Sequence, residues 1–195
     1  MKIKKLEPRT YTYELYPEKS DKDFSSCMWA RFIFDCDNGR LNINSDAGDY
    51  TYAWGYNENE DFMHLMSRVG EDYLLNKLSD RSVFLLEESL KELIESIETY
   101  WYDFGFETEA EWEECKQELL GLSSFDAGNE YAFFNRVQEI IPDIDSDSIY
   151  IEMDYPYQAK LIVNWFIKYL QPKIKEEFAA SRDTEVGNAF DDYAG

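Results

Sequence analysis

The sequence predicts an α+β fold in which an N-terminal antiparallel β-meander of three to four strands packs with a C-terminal set of amphipathic helices. Two observations lead to this prediction. In the first third of the chain, apolar residues alternate with polar ones, which is the period of a strand with one buried face. From Asp61 onward they recur every three or four residues, which is the period of a helix with one buried face. We therefore expect a single domain over 1–180, sheet-rich over 1–58 and helix-rich over 59–180, with a flexible tail at 181–195.

Alternating apolar residues and the turns between them mark the strands of the meander. The run 27–34 is rich in apolar and aromatic residues, which favours a strand covered on both faces. Asn38-Gly39 supplies the positive φ angles of a two-residue hairpin turn, and 46–49 is a second turn. The alternating residues that should share a face within their strands are Tyr11, Tyr13 and Leu15, then Leu41 and Ile43, then Tyr50, Tyr52 and Trp54.

The helices are predicted from apolar stripes and from end signals. Two short helical pieces fit 62–69 and 73–78 with Gly70 between them, and the clearest helix spans 84–104. Thr108 and Glu111 form a capping box that opens the next helix. The remaining predicted features are a helix at 130–140, a strand at 148–153, and a last helix that begins at Pro156, is kinked by Pro172 and carries an apolar stripe from Ala159 to Phe178.

The charge of the chain limits the classes of molecule that it can bind. Forty-one acidic residues face nineteen basic ones, a net charge of −22. Such a chain is repelled by nucleic-acid phosphates and by anionic membranes, so neither direct nucleic-acid binding nor membrane binding is expected. A basic protein is the natural partner. The alternative is that the acidity only increases solubility.

Residues that could carry chemistry are few, and we expect no enzymatic activity, no cofactor and no metal. His64 is the only histidine and lies among apolar residues of a short helix. The acidic run 35–39 departs from a calcium loop because its glycine is fifth where the loop needs it sixth. Asp143, Asp145 and Asp147 alternate as a calcium loop does, yet the run leads into the predicted strand. Three cysteines without metal-site spacing or a secretion signal indicate reduced thiols in a cytoplasm.

The densest acidic segment is 87–118, with twelve acidic residues and two basic ones. Carboxylates on two neighbouring helices can imitate the phosphates of DNA, which carries one charge per about 1.7 Å of axis over both strands. An ordinary solvated surface is the alternative interpretation. The predicted partner-binding residues are Glu87, Glu88, Glu92, Glu95, Glu98, Glu109, Glu113 and Glu114.

Three segments of the chain carry a resemblance to a known group of proteins. They are the run 36–55, which reads CDNGRLNINSDAGDYTYAWG, then DFMHLM at 61–66 and DYLLNKL at 72–78. This pattern resembles that of small phage and prophage proteins, and the similarity covers about residues 27–80. It implies a phage or mobile-element origin and no particular activity. Acidic proteins of this size from that source include inhibitors of CRISPR and restriction systems.

Together these observations predict an inhibitor of a host nucleic-acid-binding defence protein, foremost an anti-CRISPR protein. It would act in the cytoplasm of a bacterial host cell, without catalysis, by placing carboxylates in the basic nucleic-acid channel of a protein such as a CRISPR effector nuclease. Two alternatives remain at this point. One is a phage accessory or structural interaction protein whose acidity is incidental, and the other is an enzyme that depends on a divalent metal.

Overall fold

A computed structural model of the chain describes residues 1, 3, 5, 7–55 and 61–177. Phe178, the last residue of the predicted apolar stripe, and the predicted tail at 181–195 lie outside the described residues, as does the predicted boundary between the sheet-rich and helix-rich parts. The fold class is α+β, as the sequence predicted.

The chain divides into two compact units. The first, which we call the sheet unit, is made of Met1–Asp80 and Tyr155–Gly195, and the second, which we call the helical unit, is Arg81–Asp154. Each has a hydrophobic core of its own. That these two units form a single domain over 1–180 stays a prediction.

The sheet unit contains the predicted meander as a four-stranded antiparallel sheet. Its strands pair in the order β1-β2-β3-β4, and Phe32 lies opposite Ile43 while Phe34 lies opposite Leu41. All four side chains are fully buried. The strands are β1 (Thr10–Leu15), β2 (Ala30–Asp35), β3 (Arg40–Ser45) and β4 (Tyr50–Ala53).

Two details of the meander differ from the prediction. The strand predicted over 27–34 begins only at Ala30, and one of its faces is partly exposed because Arg31 and Ile33 point away from the core. The hairpin predicted at Asn38-Gly39 exists, but its loop has four residues, since Asp35 pairs with Arg40. Only the glycine of the pair has a positive φ, so the two-residue turn is wrong.

Helices cover the buried face of the sheet. The aromatic ring of Phe166 lies 6.0 Å from that of Phe32 and 6.3 Å from that of Phe34. The two predicted short helices are confirmed. The helices of the sheet unit are α1 (Phe62–Met66), α2 (Glu71–Leu78) and, after the helical unit, α6 (Tyr157–Trp165), which continues as a π-helical turn over Phe166–Leu170 and as helix over 171–177.

The π-helical turn ends at Leu170, two residues before Pro172. A proline has no N–H for the carbonyl four residues earlier, and its ring crowds that carbonyl. A wider turn accommodates this misfit. The departure from α-helical geometry therefore precedes the proline, and the kink predicted at Pro172 itself stays a prediction.

The helical unit packs three helices around Trp112, Phe133 and their apolar neighbours. Its short strand β5 (Val83–Phe84) pairs with β6 (Met153–Asp154). The fully buried Ser89 hydroxyl donates to the Leu85 carbonyl at 2.7 Å and accepts from the Glu152 N–H at 2.8 Å, which ties the two ends of the unit together. The helices are α3 (Leu86–Glu98), α4 (Glu109–Leu120) and α5 (Glu130–Ile140).

The helix predicted over 84–104 is wrong at both ends. Phe84 belongs to β5, and α3 ends at Glu98, followed by a separate 3-10 turn over Trp101–Phe104. Thr99 and Tyr100 have low helix propensity because their side chains lose rotamer freedom against the preceding turn. Tyr100 leaves the helical region, with φ −137° and ψ 40°. Gly105 ends the 3-10 turn with φ 88°, as expected of a left-handed C-terminal glycine.

The other boundaries of the helical unit were predicted more closely. The capping box is confirmed, since the Thr108 hydroxyl accepts from the Glu111 N–H and the Glu111 carboxylate accepts from the Thr108 N–H. The helix at 130–140 is confirmed. The strand predicted over 148–153 is wrong, because its first residue belongs to a 3-10 turn at Ser146–Ser148 and only Met153 is in a strand.

Candidate acidic interaction surface

Most of the negative charge lies in the helical unit. Arg81–Asp154 contains 20 acidic and 4 basic residues, so this part of the chain carries −16 of the total of −22. All eight glutamates predicted to bind a partner lie on α3 and α4, and all eight are exposed. Because the apolar stripe of α3 faces the core, its glutamates are directed to solvent.

The glutamates of α3 form two rows. Glu88, Glu92 and Glu95 are four and three residues apart, so they lie along one stripe of the helix. Glu87 and Glu98 lie on the neighbouring stripe, together with Lys91. The five carboxylates span eleven residue steps, or roughly 17 Å, so their mean spacing along the axis is about 4 Å, compared with 3.4 Å along one DNA strand.

One lysine connects α3 with α4. The Lys116 ammonium lies 2.5 Å from a carboxylate oxygen of Glu98 and 3.9 Å from one of Glu113. Its hydrogen bond to Glu98 raises the pKa of Lys116, so this lysine stays charged. Two of the eight predicted carboxylates are therefore partly neutralised by a cation of the same unit.

A weaker pair joins Lys91 to Glu95 at 3.8 Å. Exposed pairs of this kind contribute about 0–1 kcal/mol to stability, so they hold the carboxylates only loosely. Across the described ranges, five of the eight predicted glutamates take part in no ion pair: Glu87, Glu88, Glu92, Glu109 and Glu114.

The rows of α4 diverge. Glu109 and Glu113 share a stripe with Lys116 on the side joined to α3. Glu114 is one position further along, about 100° around the helix, on the stripe that holds Glu118. That the eight carboxylates act as one continuous surface stays a prediction.

An open groove of about 720 Å³ lies between α3 and the C-terminal end of α4. Its apolar lining comes mainly from Leu86, Leu90 and Ile94 of α3 and from Leu120 and Leu122. Its rim is formed by charged residues from both α3 stripes and by Lys116 of α4. The acidic and basic residues that line it are Glu87, Glu88, Lys91, Glu95, Glu98 and Lys116.

The sequence reasoning missed this groove. The Leu120 side chain is 54% exposed, although that of the neighbouring Leu119 is buried. The helical period contained the signal, because Leu120 continues the stripe of Glu109, Glu113 and Lys116 and lies about 100° from the buried Leu119.

Two of the carboxylates considered for metal binding have structural partners. Asp35 accepts hydrogen bonds from the main chain and side chain of Asn38, and Asp145 caps the following 3-10 turn. His64 is half-buried in α1. Within the described ranges, no three His, Cys, Asp or Glu side chains are grouped as metal ligands would be.

The three cysteines are buried and form no disulfide. Burial raises the pKa of the Cys27 thiol to about 12 and those of the Cys36 and Cys115 thiols to about 11. At neutral pH the thiolate fraction is therefore very small, and none of the three is activated as a nucleophile.

A smaller cavity of about 320 Å³ lies in the sheet unit, against the buried Trp165 and the exposed Tyr16 and Tyr169. Its polar lining comes from Glu14, Asp21 and Asp23. The first of these carboxylates is already bound to Arg31 and accepts from the Tyr16 hydroxyl.

Among the described residues, no helix is long and apolar enough to cross a membrane.

The chain is similar to a family of phage proteins. The model of the Phage_phiTE_072 family, described as a phage family, matches residues 1–176. Neither a curated protein nor a solved structure matches the chain significantly.

Proposed function

The chain belongs to this phage protein family, and from that premise we propose that it inhibits a nucleic-acid-binding defence protein of the bacterial host. The acidic surface of α3 and α4 binds in the basic channel through which that protein holds DNA or RNA, and thereby excludes the nucleic acid. A CRISPR effector nuclease is the foremost candidate, and no reaction is involved.

The uneven distribution of charge is the observation that supports this proposal. If the acidity served solubility alone, it would be spread over the chain, yet 74 residues carry −16 and the other 121 carry −6. Like charges three or four residues apart destabilise a helix by about 0.2–0.5 kcal/mol per pair. Keeping Glu88, Glu92 and Glu95 on one stripe has that cost, and binding a cationic partner offsets it.

The charge density also fits a phosphate-binding channel. Net of Lys91, α3 carries four negative charges over roughly 17 Å of axis, and α4 carries four net of Lys116 over a similar length. A channel that binds DNA places Lys and Arg side chains against phosphates, and occupation by carboxylates satisfies the same side chains. The two alternatives, an accessory interaction protein and a metal-dependent enzyme, have no comparable support on this surface.

The proposal is tested by capture followed by competition. The tagged protein is used to purify its partner from a lysate of the bacterial host, the partner is identified by mass spectrometry, and the pure partner is titrated with labelled DNA or RNA. We expect the phage protein to displace the nucleic acid at about one equivalent. A partner that binds nucleic acid equally well in its presence, or one that binds no nucleic acid at all, would contradict the proposal.

A further inference from the structure

We infer that the groove between α3 and α4 is an anchor site for an amphipathic helix of the partner, one with an apolar face and flanking lysine or arginine residues. This inference rests on the proposed function, because it specifies how the same acidic surface holds a basic protein. It adds an apolar contact between the two proteins to the electrostatic one.

The floor of the groove is apolar and runs along a helix. Leu86, Leu90 and Ile94 are spaced four residues apart on α3, and Leu120 and Leu122 form the opposite wall. Leu90 and Ile94 also belong to the core of the helical unit and are each only 7% exposed, so only their outer edges form the floor of the groove. Leu120 is the most exposed of these side chains, which leaves apolar surface for a partner to cover.

The length of the groove sets the length of the occupant. Its α3 side extends from Leu86 to Glu98, thirteen residues or about 18–20 Å. A helix of about three turns fits this length. The volume of about 720 Å³ is enough for several apolar side chains, since ligand sites commonly enclose about 300–1,000 Å³.

The rim of the groove selects the charge of the occupant. Glu87 and Glu88 line it and take part in no ion pair in the described part of the chain, whereas both lysines at the rim already contact carboxylates, Lys91 at 3.8 Å and Lys116 at 2.5 Å. The charge left without a counterpart is therefore negative. An occupant with lysine or arginine beside its apolar face complements both the rim and the floor.

The test uses synthetic peptides as probes. One peptide of about 14 residues, with blocked ends, carries leucine at i, i+4, i+7 and i+11 and lysine around them. A second has the same composition, but its leucines are shuffled so that they share no face. Both are fluorescein-labelled and titrated with the full chain at 150 mM salt. We expect the amphipathic peptide to bind about 10-fold more tightly than the shuffled one, because both feel the same charge and only the first has an apolar face.

Two matched pairs of variants locate the site. Leu120→Ser removes apolar surface from the groove, while Phe125→Ser removes it from a fully exposed side chain outside the groove. We expect Leu120→Ser to weaken binding of the amphipathic peptide about 5- to 10-fold and Phe125→Ser to leave it unchanged. Both side chains are exposed, so neither substitution should affect folding, which circular dichroism verifies.

The second pair compares carboxylates. The double variant Glu87→Gln with Glu88→Gln neutralises the rim, and Glu109→Gln with Glu114→Gln removes the same charge from positions that do not line the groove. The first should weaken binding of the amphipathic peptide at least 3-fold more than the second.

Three results would overturn the inference. They are equal affinity for both peptides, equal effects of Leu120→Ser and Phe125→Ser, and a concentration-dependent dimer of the protein that Leu120→Ser abolishes, since the occupant would then be a second copy of the chain. None of these results tests the proposed function. That proposal fails only if the protein does not displace nucleic acid from its partner.

Discussion

Gln171 provides the sharpest test of the packing of the sheet unit. Its side chain is only 6% exposed, and its amide nitrogen donates to the Met66 carbonyl at 3.1 Å and to the Val69 carbonyl at 2.7 Å. α1 has only five residues, so carbonyls near its end need donors from elsewhere. The amide of Gln171 thus connects the helix over 171–177 to the end of α1 and to the segment between α1 and α2.

Gln171→Leu keeps the apolar stem and removes both donors. A buried carbonyl left without a partner costs about 1–3 kcal/mol, so two of them should lower the free energy of unfolding by roughly 2–6 kcal/mol. Urea unfolding followed by tryptophan fluorescence and circular dichroism measures the change. Gln158→Leu, an exposed glutamine on α6, is the control and should change stability by about 0.5 kcal/mol or less. Equal stability of the two variants would refute the role assigned to Gln171.

Gln171→Glu adds a dependence on pH. A carboxylate can only accept hydrogen bonds, so in the folded state it would face two carbonyl oxygens, and the folded-state pKa of the introduced carboxyl group should rise above its unfolded value. The protonated form can still donate one bond. The variant should therefore lose stability relative to Gln171→Leu as the pH rises through about 4.3, where the unfolded state ionises. A constant difference between pH 3.5 and 7 would show that the side chain has turned to solvent.

Three further predictions concern the turn, the cap and the thiols. Gly39 has φ 56°, and an added Cβ would lie 2.2 Å from the Gly55 carbonyl oxygen, whereas a Cβ at Gly55 meets nothing within 4 Å. The free energy of unfolding in urea should therefore fall by at least about 2 kcal/mol in Gly39→Ala and by only about 1 kcal/mol in Gly55→Ala. Equal losses would contradict this. Thr108→Ala removes the hydroxyl that caps α4 and should cost about 1 kcal/mol in the same assay, whereas Thr108→Ser should keep most of that stability. The three buried thiols should react slowly with a thiol reagent at pH 8 in the native protein, because their pKa values are raised. After denaturation without reductant, all three should react. If only about one thiol reacts, the other two form a disulfide.

The fold was largely readable from local sequence. Period two in the first strands and period three to four afterwards are set by which faces are buried, and the capping box at Thr108 is a purely local device. The errors occurred where tertiary contacts decide. β5 and β6 have two residues each and exist only because the two ends of the helical unit pair, which no local pattern indicates. In the sequence, Gln171 is an ordinary polar residue of a helix, and its role depends on its contacts with the carbonyls of Met66 and Val69.

The candidate site was predictable in part. Exposure of the eight glutamates follows from the amphipathic pattern of α3 and from the capped start of α4. The pairing of Lys116 with Glu98 did not follow, since it joins residues 18 positions apart on different helices. The groove did not follow either, because it depends on how the C-terminal end of α4 lies against α3.

The central claim is that the acidic face of α3 and α4, and not acidity in general, binds the partner. Two variants with the same net charge separate these ideas. The first reverses Glu88, Glu92, Glu95, Glu109 and Glu113 of the helical unit to lysine. The second reverses five exposed acidic residues of the sheet unit to lysine, namely Glu18, Asp49, Glu71, Asp72 and Asp80.

The decisive measurement is the affinity of the captured host protein for the wild-type chain and for both variants, by calorimetry or surface plasmon resonance, over a series of salt concentrations. The account predicts that the helical-unit variant loses binding and that the sheet-unit variant binds nearly as wild type does. Association with the wild-type chain should slow as salt rises, because charges are screened beyond about 8 Å at physiological ionic strength. Equal binding by the two variants, whether both strong or both weak, would contradict the account, since the location of the charge would then make no difference.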